Sequence, residues 1–299
     1  MSGEGRSVGF ILHPRERRRP EALEAAVERA HAAGLATWTA VADAETAVAE
    51  HVRDTVLLVT VGGDGTFLLG ARLAAPCGIP VLGVNRGQLG FLTDVDLADL
   101  PDAIDCFCRG GHRLERRSLL EIEFPDQPLD RPCDVALNEV VVKSTGMNLA
   151  RIRVEVDADL LGAFDADGVI VATATGSTAY ALSSGGPPVD PRVRALVVVP
   201  LAPHAVITRP VVLPEAVTVR VTVERGRTFA AADGHLEVPL REGCTIVVRP
   251  GPELRVVKVA GSPTFLRRLR EKLRLGTPLK ATLDEPDGRR LLCGDEERG

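Results

Sequence analysis

The chain has 299 residues, 45% of them hydrophobic and 26% charged, with a formal net charge of −5. That is enough chain to bury one large core or two medium ones, and the balance is that of an ordinary soluble protein. A single Trp, a single Tyr and a net negative charge leave little for stacking on bases or gripping a phosphate backbone, so no nucleic-acid partner is expected.

The first hundred residues alternate strand-like and helix-like pieces. "VGFIL" at 8–12 reads as a strand; it is too short for a signal-peptide core and no long apolar stretch follows, so the expectation is a soluble cytoplasmic protein without a membrane partner. "RERRR" at 15–19 reads either as a solvated face or as a contact to a phosphorylated ligand. "PEALEAAVERAHAAGL" carries Leu23, Val27 and Ala30 at helical spacing, with Gly34 as the stop. "TVLLVTV" at 55–61 and "IPVLGVN" at 79–85 read as strands, and "FLLGARLAAP" between them as a helix ended by Pro76. "DLADLPDAIDCFCRG" reads as a further helix. Alternation with continuously apolar strands implies a parallel sheet covered on both faces. Ligands of such sheets sit at loops after strand C-terminal ends, and "GGDGT" at 62–66 and "NRGQLGF" at 85–91 occupy such loops.

From about residue 114 the texture changes to short β-branched runs split by Gly, Pro and Asp: "LLEIEF", "ALNEVVVK", "ARIRVEVDA", "GVIVATA", "RALVVVP", "VTVRVTVE", "CTIVVRP" and "LRVVKVA". Several alternate apolar and charged residues, as half-exposed antiparallel strands do. "SPTFLRRLREKLRLG" then places Phe265, Leu266, Leu269 and Leu273 on one helical face. The expected organisation is an α/β domain over 1–113, a β-rich domain over 114–261, a helix over 262–276 and a polar, mobile tail over 277–299. Six Cys stand at 77, 106, 108, 133, 244 and 293; the lone C-x-C lacks ligand partners, so reduced thiols are expected rather than zinc.

Common nucleotide fingerprints are missing: no G-x-x-x-x-G-K-[ST], no G-x-G-x-x-G opening a helix, no protein-kinase set and no H-E-x-x-H. What remains is glycine-rich. In "GGDGT", Gly62, Gly63 and Gly65 can take unusual backbone angles and open their N–H groups to phosphate oxygens, and a helix beginning near Thr66 adds favourable partial charge. Asp64 among them suits a metal ion or a hydroxyl; its alternative use is to cap the helix. "FDADGVIVATATGSTAYALSSGGP" at 164–187 runs a strand into Thr175, Gly176, Ser177 and Thr178, a density of small hydroxylated residues that a structural loop seldom needs. Asn138 and Glu139 interrupt an apolar strand in "LNEVVV", where Asn can read an adenine edge and a carboxylate suits ribose hydroxyls.

The order of these segments resembles the NAD kinase family from about residue 8 to 276. The matching stretches are "GGDGTFL", "VLGVNRGQLGFLTD", "ALNEVVV", "DGVIVATATGSTAYALSSGGP", "VVVPLAPHAVITRPVVLP", "ADGH" and "SPTFLRRLREKLRL". "GGDGT" alone also occurs in diacylglycerol and sphingosine kinases, but the "TGSTAY" and "LNEVVV" segments argue against a lipid kinase. The resemblance implies an N-terminal α/β domain, a β-sandwich-like C-terminal domain and a last helix that returns to the first domain. It implies phosphoryl transfer to the 2′-hydroxyl of the adenosine ribose of NAD, giving NADP. ATP or polyphosphate is the implied donor, with Mg²⁺ or another divalent cation. On that resemblance Asp64 is catalytic; Gly63, Gly65 and Thr66 cradle the donor phosphates. Asp64, Gly65, Asn138, Glu139, Asp167, Thr175, Thr178, Ala179, Tyr180 and Ser183 bind NAD; no metal ligands are assigned. A homodimer or homotetramer is implied. Ala174 stands where the family usually has Pro, and Ala231 departs from the usual pattern near "ADG"; neither touches Asp64, Asn138 or Glu139. The alternative is a non-catalytic NAD(H)-binding homologue acting as sensor or subunit, against which an intact Asp64 argues. Asp165 is the candidate for selecting NAD⁺ over NADH, since an acid can attract the positive nicotinamide ring; its alternative reading is an exposed Asp in a turn with no ligand contact.

Overall fold

The computed structural model describes residues 6–14, 20–41, 44–87, 90–126, 134–205 and 209–274. The basic cluster at 15–19, Cys133, Cys293 and the tail from 275 lie outside them. The described chain forms two compact units, one to Ser262 and one from Pro263.

In the first unit the elements run β1 (Ser7–Leu12), α1 (Glu21–Ala32), β2 (Ala36–Ala40), α2 (Ala44–His51), β3 (Thr55–Gly62), α3 (Asp64–Ala74), β4 (Val81–Asn85), β5 (Val95–Asp96) and α4 (Leu100–Cys108). There follow β6 (Arg113–Glu123), β7 (Asp134–Ala136), β8 (Glu139–Ser144), β9 (Ala150–Val156), β10 (Asp159–Ala166) and β11 (Gly168–Thr173). The unit closes with α5 (Tyr180–Ser183), β12 (Ala195–Leu201), β13 (Val211–Pro214), β14 (Val219–Arg225), β15 (Thr228–Ala232), β16 (Leu236–Leu240) and β17 (Thr245–Lys258). Strand β2 and helix α2 were not anticipated; "ATWTA" is short, three of its residues are only half-buried, and it carries no run of apolar residues.

Strands β2, β1, β3 and β4 pair in parallel, in that order. One face of this sheet packs Val8, Phe10, Val59 and Val84 on Leu23, Ala26, Leu100 and Ile104 of α1 and α4. The other packs Ile11, Leu58 and Val81 on Val48 of α2 and Phe67 and Ala71 of α3. Burial on both sides is why these strands read as unbroken apolar runs. Strands β11, β12, β8, β15, β13 and β16 form a second, antiparallel sheet. Its Val140, Val142, Val169, Val171 and Val198 face Ile152, Val154, Val221 and Ile246 of β9, β14 and β17, which is the sandwich core. The intervening Val141, Ile170 and Val197 face the opposite way, onto Ala181 of α5. The period of two in each strand thus fills two cores at once.

"CTIVVRP" and "LRVVKVA", read as separate runs, are one strand. Pro250, Gly251 and Pro252 look like a turn, but the chain passes through them with only a register shift in its pairing to β6. The first half of β17 pairs with β14, and its far end pairs in parallel with β4 at Val256↔Val81. The parallel sheet and one layer of the sandwich are therefore one continuous sheet. The second unit holds α6 (Phe265–Leu273), whose N-cap Thr264 accepts from the N–H of Arg267 and whose Arg267 pairs with Glu271 one turn on.

Gly9 lies directly across from Trp38 in the β1–β2 pair. A Cβ at Gly9 would sit 2.1 Å from the indole ring, which also donates to Thr55 Oγ1 at 3.0 Å and stacks on His51. Gly9→Ala should therefore destabilise the protein by about 1–3 kcal/mol, the scale for overpacking, and shift the emission of this sole Trp. Unchanged melting and fluorescence would place the indole elsewhere.

Candidate active site

Helix α3 begins at Asp64, with Gly63 as an N-cap that makes no side-chain cap bond. The Asp64 carboxylate does not cap the helix. It reaches to the loop after β4, where Oδ2 accepts from the N–H of Phe91 at 3.0 Å and Oδ1 from the N–H of Leu92 at 3.1 Å. A Cβ on Gly90 would fall 1.9 Å from Oδ1, so the loop closes this tightly only because residue 90 has no side chain. The half-buried carboxylate is thus aimed by two backbone donors from a second loop.

The glycines of "GGDGT" act differently from expectation. None of Gly62, Gly63 and Gly65 has a positive φ. Gly63 and Gly65 are exposed, and a Cβ on either would meet nothing within 4 Å, so they leave open surface rather than special backbone angles. Gly62 is required by packing, since its Cβ would lie 2.3 Å from Thr66 Oγ1. Thr66, expected in the donor cradle, is buried beneath it; its N–H donates to Gly63 O, and its Oγ1 has no partner.

Asn138 and Glu139 do not interrupt a strand. Leu137 and Asn138 form the bend at which the chain leaves β7 in one sheet and enters β8 in the other. The N–H groups of Leu137, Asn138 and Glu139 need partners there. The Asp233 carboxylate, carried on the β15–β16 turn with φ +46°, takes all three: Leu137 N–H at 2.7 Å, Asn138 N–H at 2.8 Å and Glu139 N–H at 3.1 Å. On the other side Thr173 N–H donates to Asn138 O at 2.9 Å and Thr173 Oγ1 to Leu137 O at 2.6 Å. Gly176 packs so closely that its Cβ would lie 2.0 Å from Asn138 O. Backbone and neighbours fix this segment while the Asn138 side chain contributes none of these bonds.

Burial, and then the charge of Asp233, push the Glu139 carboxyl up to about 7, against a bond from the Tyr180 N–H. Glu139 Oε2 is buried with no hydrogen-bond partner. Asp233 is itself raised, by burial, against its three N–H donors. The loop after β11 supplies the rest. Thr175 is buried and accepts from Arg117 Nη1 at 3.3 Å, and Thr178 Oγ1 donates to Thr175 O at 3.2 Å. Ser177 staples the loop through Ala174 O and Val189 N–H. Tyr180, Ser183 and Asp167 are exposed, and Ala179 is half-buried. A single core joins the parts: Phe67 of α3, Leu92 beside the Asp64 clamp and Leu137 beside Asn138 belong to one buried cluster.

Asp165 does not offer a free charge. Its Oδ2 accepts from Arg151 at 2.7 Å and its Oδ1 from Arg225 at 2.9 Å, so two guanidinium groups already answer it. Asp165 therefore has no unanswered charge with which to select NAD⁺ electrostatically. Conversely Asp233, Gly90 and the amides of 91 and 92 were missed. Each lay inside a stretch quoted for the resemblance, but only long-range contacts reveal what they hold.

Comparison with known proteins identifies the family. A family model described as the ATP-NAD kinase N-terminal domain matches residues 8–112, and the ATP-NAD kinase C-terminal domain matches 137–259. The NAD kinase of Heliobacterium modesticaldum is 42% identical over 231 residues, covering 76% of this chain and 81% of that protein. The NAD kinase of Moorella thermoacetica is 40% identical over 225 residues, covering 73% and 71%. The chain belongs to the NAD kinase family. Among solved structures, a yeast NADH kinase complexed with NADH has a TM-score of 0.77 at 24% identity, covering 92% of this chain and 90% of that one. An NAD kinase from Archaeoglobus fulgidus in complex with ATP has a TM-score of 0.71 at 24% identity, covering 89% and 98%. These two share the fold.

The raised Glu139 gives this NAD kinase family member a pH-dependent stability with a definite sign. Between the ordinary value of 4.5 and about 7, the folded state holds a proton that the unfolded chain releases. The contribution of Glu139 to stability is therefore full below 4.5 and falls as pH rises to about 7. Glu139→Gln removes that loss. Without ligand, the variant should match the parent near pH 5 and melt at least about 2 °C higher at pH 8. A melting difference that stays flat between pH 5 and 8 would contradict the shift.

Proposed function

We propose that this chain is an NAD kinase that transfers the terminal phosphoryl group of a nucleotide or polyphosphate donor to the 2′-hydroxyl of the adenosine ribose of NAD, giving NADP. The observation that carries the reading is the Asp64 carboxylate, held by the N–H groups of Phe91 and Leu92 at the mouth of an open glycine loop. Phosphoryl transfer asks mainly for positioning and charge stabilisation. A carboxylate whose oxygens are each fixed by one backbone donor keeps lone pairs for a substrate hydroxyl and cannot swing away from it. Asp64 orients the 2′-hydroxyl and takes its proton late in the transfer.

The donor phosphates lie over Gly63 and Gly65, where no side chain intrudes, near the N-terminus of α3. Thr66 shapes the loop from beneath. Asn138 reads the adenine edge, and the unpartnered Glu139 Oε2 receives a ribose hydroxyl. Thr175, Thr178, Ala179, Tyr180, Ser183 and Asp167 line the remainder of the dinucleotide. Among the described residues no three His, Cys, Asp or Glu side chains are arranged to hold a metal ion. The reading therefore takes Mg²⁺ as part of the donor substrate, where it neutralises phosphate charge. No described helix is long and apolar enough to cross a membrane; the family resemblance supports a cytoplasmic homo-oligomer.

Asp64→Asn keeps the size and one acceptor oxygen but loses the base. Turnover should fall by about 10²-fold or more, with folding and NAD binding retained, in an assay coupling NADP formation to an NADP-specific dehydrogenase. Gly90→Ala keeps Asp64 in the chain but puts a methyl group where its carboxylate sits and so displaces it, and should cost about 10-fold or more in kcat. Near-parental turnover in both variants would remove Asp64 from the mechanism.

A further inference from the structure

Lys258, the last residue of β17, has 5% of its side chain exposed. Its Nζ contacts Asp94 Oδ2, whose side chain is 2% exposed, and lies 4.0 Å from Glu115 Oε1. Glu115 Oε1 in turn pairs with Arg117 Nη2 at 2.5 Å, and its Oε2 with Arg113 at 3.3 Å. Arg117 ends the run by donating to Thr175 Oγ1. The two termini are informative. Asp94 stands two residues after Leu92, whose N–H grips Asp64, and its own N–H is tied to Gly83 O. Thr175 opens the loop that continues through Thr178 to Tyr180, whose N–H meets Glu139. A largely buried series of alternating charges, Asp94, Lys258, Glu115 and Arg117, therefore connects the clamp on Asp64 to the loop that bonds Glu139.

Stability alone does not account for such a series. Buried charges are costly to desolvate, and well-packed apolar residues of similar volume are often as stable or more so. What an ion chain adds is fixed geometry between the segments it joins. We propose that Lys258 is a positioning residue, which through Asp94 on one side and Glu115 and Arg117 on the other holds the Asp64 clamp and the Thr175 loop in register for phosphoryl transfer. Burial first, then Arg117 and Arg113, press the Lys258 ammonium down to about 7. Glu115 opposes them, and a carboxylate in direct contact, that of Asp94, favours the charged form of the amine.

The proposal rests on the NAD kinase reading, and one set of steady-state measurements on the full chain separates the two. Lys258→Met should lower kcat per folded molecule by about 10-fold, the scale of a small misplacement, with KM for NAD within about threefold. Lys258→Arg keeps the charge and should recover kcat to within about threefold of the parent. Arg117→Met leaves Glu115 paired with Lys258 and Arg113, and should reproduce the kcat loss; it carries the test if Lys258→Met does not fold. The double variant should be no slower than the worse single, because both cut the same link. If the folded single variants stay within twofold of the parent in kcat, or the two losses multiply in the double variant, the positioning role is overturned. A parent that makes no NADP overturns the reaction and this proposal with it; an active parent with unaffected variants overturns the proposal alone.

Discussion

The site depends on one carboxylate that touches no reacting group. Between β7 and β8 the chain changes sheets, and the N–H groups of residues 137–139 leave one ladder before the next is established. Buried amides without partners are costly. Asp233 accepts from all three, and it can do so because the β15–β16 turn holds it in the left-handed region, with Gly234 following at φ +69°. The crossing is thereby fixed without using the side chains of Asn138 or Glu139. A polar pair in the middle of an apolar sheet could not have been left free in this way; at a bend between two sheets it can.

Three carboxylates of the candidate site are handled differently, and the difference follows from their donors. Asp64 receives two N–H groups from a single loop and is half-buried, so its position is fixed while an accessible face remains. Asp233 receives three N–H groups and is committed to structure. Glu139 receives one, lies against Asp233 and is half-buried with its Oε2 out of solvent, so without a ligand it favours the proton. A ribose hydroxyl at Oε2 would supply the missing partner. On the proposed reading the folded protein carries a polar group whose satisfaction arrives with the substrate, in keeping with its unpartnered Oε2.

The sheets were legible where both faces are covered. "TVLLVTV", "IPVLGVN" and "GVIVAT" are apolar throughout because α-helices or the second sheet lie on each side, and they appear as β3, β4 and β11. Strand β2 and helix α2 were not legible, since "ATWTA" and "AETAVAEH" carry no long apolar run and their places follow from Trp38 over Gly9 and Val48 in the core. The unity of β17 was hidden by Pro-Gly-Pro, a local turn signal that pairing with β6 overrides. At the site, Asp64 and the glycines stood out by composition, but the reason for each did not. Gly62 and Gly176 exist for close packing, Gly63 and Gly65 for open space, and no pattern along the chain distinguishes those two needs. Asp165 shows the same limit from the other side: an exposed-looking acid in a turn-like "FDADG" is spoken for by Arg151 and Arg225, the second of them sixty residues away.

Strand β17 explains why a change of texture near residue 114 does not become a break in the structure. Its first half lies in the sandwich beside β14, its last residues lie beside β4 of the parallel sheet, and β6 accompanies it along both. The register shift between Pro250 and Glu253 lets the ribbon bend without parting. Separating the α/β half from the β-rich half would break that ladder and strip Lys258 from Asp94 at its end. The Asp64 loop is mounted on this continuous sheet and the Thr175 loop on the second sheet, after β11, so on the proposed reading the two loops that meet around one hydroxyl belong to different sheets. The freedom to admit two substrates has to come from the loops themselves, and the bonds that restrain those loops, from Asp233, Thr173 and Arg117, are accordingly made by side chains rather than by the ladders.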